Sequence, residues 1–188
     1  MSTPRVIAGK ARGMRLQDVP GDTTRPITDR VKSALFNILG ADIEGASFLD
    51  LFGGTGSVGI EALSRGAAFV RFIDNHHNAI ATIKKNLETT RLKENAQVIS
   101  ADTFSYLRQP ADKAFHYIFV APPQYKKLWQ RTLQTLDDNP GWMAPDAWII
   151  VQIHPVEYET VVLKNLREFD QRHYGSSLLI FYETVSTA

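Results

Sequence analysis

From residue 47 onward, short apolar runs alternate with segments whose apolar positions recur every three or four residues. The runs at 47–51, 69–73, 96–100, 117–120 and 147–153 predict strands, and 57–64, 78–89, 103–107 and 127–136 predict helices. In the second of these helices, Ile80, Ile83 and Leu87 form the buried stripe. Such alternation predicts an α/β domain: a mostly parallel sheet, right-handed crossovers, and helices on both faces. Upstream, Val31, Leu35, Ile38 and Leu39 keep helical spacing over 28–39, with Thr28 as N-cap and Gly40 as stop. Residues 5–8 and 14–17 flank a Gly9–Gly13 turn and predict an N-terminal β-hairpin. Residues 166–174 and 177–183 flank Gly175-Ser176 and predict a C-terminal hairpin, which makes the last strand antiparallel.

Composition narrows the setting. At 188 residues one domain is expected, and a domain of this size buries roughly 70% of its unfolded surface without staples. With no cysteine there is no disulfide, thiolate zinc site or cysteine nucleophile, which fits a reducing compartment. His76 and His77 are adjacent and face apart on a helix, so no metal site is expected. No apolar run reaches about 18 residues and no signal pattern is present, so a cytoplasmic monomer without membrane attachment is expected.

Charge is uneven. Residues 1–32 carry seven basic and three acidic residues, whereas the remainder carries 14 basic and 17 acidic. A basic arm over 1–24, ahead of a main domain over 25–188, is either an electrostatic handle for nucleic acid or a solvated surface hairpin.

The densest chemistry lies at Phe48-Leu49-Asp50-Leu51-Phe52-Gly53-Gly54-Thr55-Gly56-Ser57-Val58-Gly59. A buried strand ends in a carboxylate, then a glycine loop opens a helix whose N-terminus offers free N–H groups. The run Gly54–Gly59 matches G-x-G-x-x-G, with Asp74 about 20 residues on, so a dinucleotide site must be weighed. Asp50 favours S-adenosylmethionine instead, because a carboxylate can meet an ammonium group and would repel a pyrophosphate. Asp102 ends the third strand, where it either binds an adenine amino group or caps the next helix at Thr103. Asp74, followed by Asn75, either binds ribose hydroxyls or caps its own helix.

A second cluster follows the fourth strand: Phe119-Val120-Ala121-Pro122-Pro123-Gln124-Tyr125. Two prolines fix a rigid loop at a strand end. Tyr125 is either a stacking partner for a nucleobase or ordinary packing. Lys126, Lys127 and Trp129 either extend a binding surface or, for Trp129, fill the core.

These segments occur in one order with Arg5-Val6-Ile7-Ala8-Gly9-Lys10-Ala11-Arg12-Gly13, Arg25-Pro26-Ile27-Thr28-Asp29-Arg30-Val31, Leu35-Phe36-Asn37 and Glu61-Ala62-Leu63-Ser64-Arg65-Gly66-Ala67. Over roughly residues 5–183 the chain resembles the RsmD family of 16S rRNA guanine-N(2)-methyltransferases. The resemblance implies a Rossmann-like, seven-stranded class I methyltransferase fold that uses S-adenosylmethionine. It implies 16S rRNA or the small ribosomal subunit as partner, and a guanine amine as acceptor. It implies cofactor contacts from Asp50, Phe52, Gly53, Gly54, Gly56, Asp74, Asn75, Asp102, Thr103 and Thr28. RNA contacts are expected from Arg5, Lys10, Arg12, Arg15, Arg25 and Arg30. The catalytic segment falls on Ala121, Pro122, Pro123, Gln124 and Tyr125, and here the chain departs from the family. The family motif is Asp-Pro-Pro-aromatic, whereas this chain has Ala121 in place of the acid and Gln124 ahead of the aromatic.

Overall fold

The computed structural model describes residues 3–21 and 26–185. Helix α1 (Asp29–Leu39) precedes β1 (Ser47–Asp50), α2 (Ser57–Ser64), β2 (Phe69–Asp74), α3 (His77–Thr90), β3 (Ala96–Ser100) and α4 (Thr103–Arg108). There follow β4 (Phe115–Val120), α5 (Leu128–Asp138), β5 (Met143–Ile153), β6 (Leu166–Tyr174) and β7 (Ser177–Thr184). The seven strands lie in the order β3-β2-β1-β4-β5-β7-β6. The pairs β1–β2, β1–β4, β2–β3 and β4–β5 are parallel, while β7 runs antiparallel to both β5 and β6. The expected parallel sheet with a terminal antiparallel hairpin is the observed one.

Two cores sandwich the sheet. One holds Val31, Leu35 and Phe36 of α1 with Val58, Ile60, Ile83 and Phe48. The other holds Leu107, Trp129, Leu133 and Leu136 with Leu49 and Leu51. Strand residues alternate between faces, so Asp50 shares the Phe48 side, toward α1, α2 and α3. The chain reverses direction across the sheet between β1 and β4, and a crevice opens there at the carboxyl ends of the strands.

The N-terminal segment closes as the expected hairpin, although among the described residues it carries an isolated antiparallel bridge, Arg5 with Arg15, in place of two full strands. Val6 N donates to the Met14 carbonyl at 2.9 Å, Gly13 N to the Val6 carbonyl at 2.8 Å and Leu16 N to the Pro4 carbonyl at 2.7 Å. The N–H groups between them reach α2. Ile7 N and Ala8 N donate to the Glu61 carboxylate at 2.9 and 3.0 Å, and Lys10 N donates to the Ser64 carbonyl at 2.8 Å. Val6, Ala11 and Leu16 are buried in the same core as α1 and α2. The segment is thus moulded onto α2.

Helix α5 begins at Leu128 and not at residue 127, because Lys127 has φ 54°, a left-handed conformation that cannot continue a helix. Tyr125 also has positive φ, at 63°, so the proline loop turns sharply twice before α5.

Candidate cofactor and nucleic-acid site

The glycine loop is built as a cradle. Gly54 (φ 56°) and Gly56 (φ 81°) adopt left-handed conformations that side chains resist, which folds the chain back onto α2. A Cβ at Gly54 would meet nothing within 4 Å, so its outer side is open to a ligand. Asp74, half-buried at the end of β2, steadies the loop by accepting from Gly54 N at 3.0 Å and His76 N at 2.9 Å. Its carboxylate retains acceptor capacity beyond those two bonds.

Asp50 lies beneath the cradle at 1% exposure, and its Oδ1 has no hydrogen-bond partner among the described residues. Burial pushes its carboxyl up to about 7, helped by the negative charge of Asp74 and opposed by the Gly59 and Phe52 backbone N–H groups. A buried, partnerless acid oxygen beside a glycine cradle suits a cationic ligand group. That set of donors and acceptors fits S-adenosylmethionine, which carries an ammonium group and ribose hydroxyls.

Other expected cofactor residues take structural contacts. Thr103 is buried and donates to the Leu51 carbonyl at 2.6 Å, bracing the chain ahead of the loop. Asp102 is exposed and caps α4 through Ser105 N at 2.9 Å. Thr28 caps α1 by accepting from Val31 N at 3.3 Å. Phe52 packs partly against the second core, Gly53 N donates to the Ile73 carbonyl at 2.9 Å, and Asn75 is exposed.

The proline loop leaves β4 next to β1. Ala121 is half-buried against the first core, Pro122 is buried, Pro123 is half-buried, and Gln124 is exposed. Tyr125 is 66% exposed. Its backbone N donates to Glu157 Oε1 at 2.7 Å, and its ring lies 6.3 Å from that of His154. Glu157 thereby ties the loop to the segment after β5.

Of the expected basic contacts, Lys10, Arg12 and Arg15 are exposed. Arg5 is engaged with Asp29 at 2.8 Å, and Arg30 lies over the Tyr174 ring at 5.9 Å. Arg25 lies outside the described residues. Trp129 belongs to the core at 1% exposure and not to an RNA-facing surface, because the stripe of α5 turns it inward with Leu133 and Leu136.

Two supports escaped the sequence reading. Lys32 is buried among Ser57 Oγ (2.8 Å), the Arg5 carbonyl and Glu61, joining the N-terminal segment to the start of α2. Asn86 is fully buried and donates to the Thr55 and Gln17 carbonyls at 2.8 and 3.1 Å, while accepting from Gln17 N. A lysine next to Val31 in an apolar stripe and an asparagine next to Leu87 were the available signals. Among the described residues, no group of three acidic or histidine side chains is placed to hold a metal. No helix there is long and apolar enough to cross a membrane.

The family model described as Conserved hypothetical protein 95 matches residues 4–183. The chain is 40% identical over 150 residues to the ribosomal RNA small subunit methyltransferase D of Escherichia coli, covering 79% of this chain and 73% of that protein. It is 38% identical over 150 residues to the protein of the same name from Haemophilus influenzae, covering 79% and 77%. The solved structure of the Escherichia coli protein yhhF superposes with a TM-score of 0.86 at 34% identity, covering 97% of this chain and 98% of that one. With fold, glycine cradle and motif order in agreement, the chain belongs to the RsmD methyltransferase family.

Proposed function

We propose that this chain methylates small-subunit ribosomal RNA, with S-adenosylmethionine as donor and the exocyclic amine of a guanine as acceptor. The observation that carries the donor is the partnerless Asp50 Oδ1 under an open glycine cradle. Family membership favours this donor over a dinucleotide. The relatives named above, as ribosomal RNA small subunit methyltransferases, support the acceptor class.

When bound, S-adenosylmethionine supplies an electrophilic methyl group. Asp50 holds the cationic amino-acid end, and Asp74 holds the ribose hydroxyls. The proline loop presents the acceptor. Its catalytic contribution is mainly approach geometry, an effect that reaches about 7–11 kcal/mol for well-positioned reactants. Ala121 has no acceptor on its side chain, so the exposed Gln124 amide oxygen and the loop carbonyls orient the amine N–H groups. Neutral acceptors hold such a group less strongly than a carboxylate would. Neither group is a base, so the displaced proton leaves to solvent. A paired guanine is out of reach inside a helix, so the target is flipped or already single-stranded. Lys10, Arg12 and Arg15 meet phosphates and fix the orientation of the RNA.

A second reading, RNA binding without methyl transfer, rests on one observation: Ala121 stands where the family carries its acid. Tritiated-methyl transfer to small subunits from cells lacking the gene decides between the two. The label is expected in N2-methylguanosine after digestion to nucleosides. Label in another nucleoside would overturn the guanine assignment. Cofactor binding without any incorporation would favour the second reading.

A further inference from the structure

No side-chain carboxylate stands on the proline loop between Ala121 and Tyr125. One nevertheless reaches it from elsewhere. Glu157, in the turn after β5 (Pro155–Glu157), accepts from Tyr125 N at 2.7 Å and from His154 N at 3.3 Å. The first distance is that of a charge-assisted bond. Tyr125 needs such a restraint. Its φ of 63° is left-handed, a conformation that residues with a Cβ resist, and Lys127 repeats it at 54°. Pro122 and Pro123 stiffen the loop but have no N–H with which to anchor it. Among the described residues, 122–126 make no backbone–backbone hydrogen bond, so the Glu157 contact is what fixes this stretch.

Peptide planarity carries the restraint across to Gln124. The Gln124–Tyr125 peptide is trans, so its N–H and its carbonyl point in opposite directions. With the N–H drawn toward the segment after β5, the carbonyl points away from that segment. The cradle after β1 lies on that other side, because β4 stands between β1 and β5. The Gln124 main-chain carbonyl accepts no hydrogen bond among the described residues. A carboxylate bonded to the N–H of a peptide also draws its dipole out, so the carbonyl becomes a stronger acceptor.

We infer that Glu157 is a positioning residue for methyl transfer: by holding Tyr125 N it turns the Gln124 main-chain carbonyl toward the cofactor side, where that carbonyl takes the acceptor-amine contact that the family's acid makes. The inference rests on the function proposed above and names the loop carbonyl that acts in it. Glu157 itself touches neither donor nor acceptor. Its charge reaches the amine through one peptide group, a weaker hold than a carboxylate at position 121. The contact matters most in the transition state, where the amine nitrogen becomes positive as the methyl arrives. Its loss therefore falls on kcat and not on cofactor binding.

The test follows methyl transfer by the full chain and its Glu157 variants to small ribosomal subunits from cells lacking the gene. Glu157→Ala is expected to lower kcat about tenfold, with the KM for S-adenosylmethionine within about twofold. Glu157→Gln keeps an oxygen for Tyr125 N and is expected to recover kcat to within about threefold of wild type. Amide hydrogen exchange at Tyr125 is expected to be slow in the wild type and in Glu157→Gln, and faster in Glu157→Ala. Wild-type kcat in Glu157→Ala overturns the role, and so does a loss that Glu157→Gln does not recover. If Glu157→Ala fails to fold, Glu157→Asp decides in its place: its shorter side chain withdraws the carboxylate, and wild-type kcat there has the same consequence. Transfer by the wild type with no effect of the variants removes this role and leaves the proposed function. Fast exchange at Tyr125 in the wild type removes the contact by itself, whatever the rate of transfer. No transfer by the wild type removes the proposed function and this role with it.

Discussion

The Lys32 ammonium and the Glu61 carboxylate meet at 3.4 Å with side-chain exposures of 1% and 0%. Burial depresses the lysine below its ordinary range, against the pull of Glu61. Glu61 also accepts from Ile7 N, Ala8 N and Arg65 Nε, so one carboxylate satisfies the N-terminal segment, α1 and α2 together. Glu61→Ala leaves a buried cation and two backbone donors unmatched. A loss of about 3–5 kcal/mol in urea unfolding is expected. A loss below about 1 kcal/mol would mean that water reaches the site and that the network is not a support.

Gly9 touches the same helix by backbone. Its φ is 86°, and a Cβ there would stand 1.9 Å from the Ser64 carbonyl oxygen. Gly9→Ala must therefore lift the segment off α2, breaking the Lys10 N bond and loosening Val6 and Ala11. The expected cost is about 2–4 kcal/mol, close to that of exposing one or two buried aliphatic side chains. A thermal melt unchanged from wild type would show that the segment is not docked in solution.

Asp50 links stability to pH. Its folded carboxyl titrates at about 7, above the ordinary value of 3.8, so the folded state keeps a proton that the unfolded chain has released. Stability from this group is present below pH 3.8, falls as pH rises between those values, and stays low above 7. A shift of this size corresponds to about 4 kcal/mol. Asp50→Asn is expected to melt higher than wild type at pH 8, with the gap narrowing at pH 5. The same variant is expected to lose S-adenosylmethionine affinity in calorimetric titration. Equal melting of the two proteins at both pH values would place the Asp50 proton elsewhere.

The sheet was readable because its central strands are buried on both faces and read as compact apolar runs, such as Ser47–Asp50 and Phe69–Asp74. The half-exposed edge strand Ala96–Ser100 was marked by its apolar pair Val98-Ile99 and by Asn95 ahead of it. The final antiparallel strand was readable from Gly175-Ser176. The N-terminal hairpin was readable from its glycine turn, but its docking on α2 was not, because Ile7 N, Ala8 N and Lys10 N take Glu61 and Ser64, over 50 residues away. The cofactor loop was legible because glycine spacing is local. The structural contacts of Asp102 and Thr103, to Ser105 N and to the Leu51 carbonyl, are ones that spacing alone does not reveal. The tie between the proline loop and the segment after β5, from Tyr125 N to Glu157, was likewise hidden from local spacing.

Gln124 is exposed at the loop tip, and no other side-chain amide or carboxylate lies between Ala121 and Tyr125. Gln124→Leu removes the amide and keeps the bulk. Methyl transfer is expected to slow by about tenfold in kcat, with the KM for S-adenosylmethionine within about twofold, because only the acceptor amine loses a contact. An unchanged kcat would assign amine orientation wholly to the backbone carbonyls. A raised cofactor KM would move Gln124 to the donor side.

The exposed cations of the N-terminal segment are expected to set the salt dependence of RNA binding. Lys10, Arg12 and Arg15 are exposed, and among the described residues no ion pair occupies them. Arg5, in contrast, is held at 2.8 Å by Asp29. Each phosphate contact on single-stranded RNA contributes about 0.7 to the slope of log affinity against log salt. Replacing Lys10, Arg12 and Arg15 together by glutamine is expected to flatten that slope by about 2, with no change in melting temperature. The fold tolerates the change because these side chains are exposed, while the backbone, through Lys10 N, holds the segment on α2. Replacing Arg5 alone is expected to change the slope less than replacing any one of the three. A slope unaffected by the triple replacement would take the RNA off this face of the molecule and leave Lys126 and Lys127 to receive the backbone.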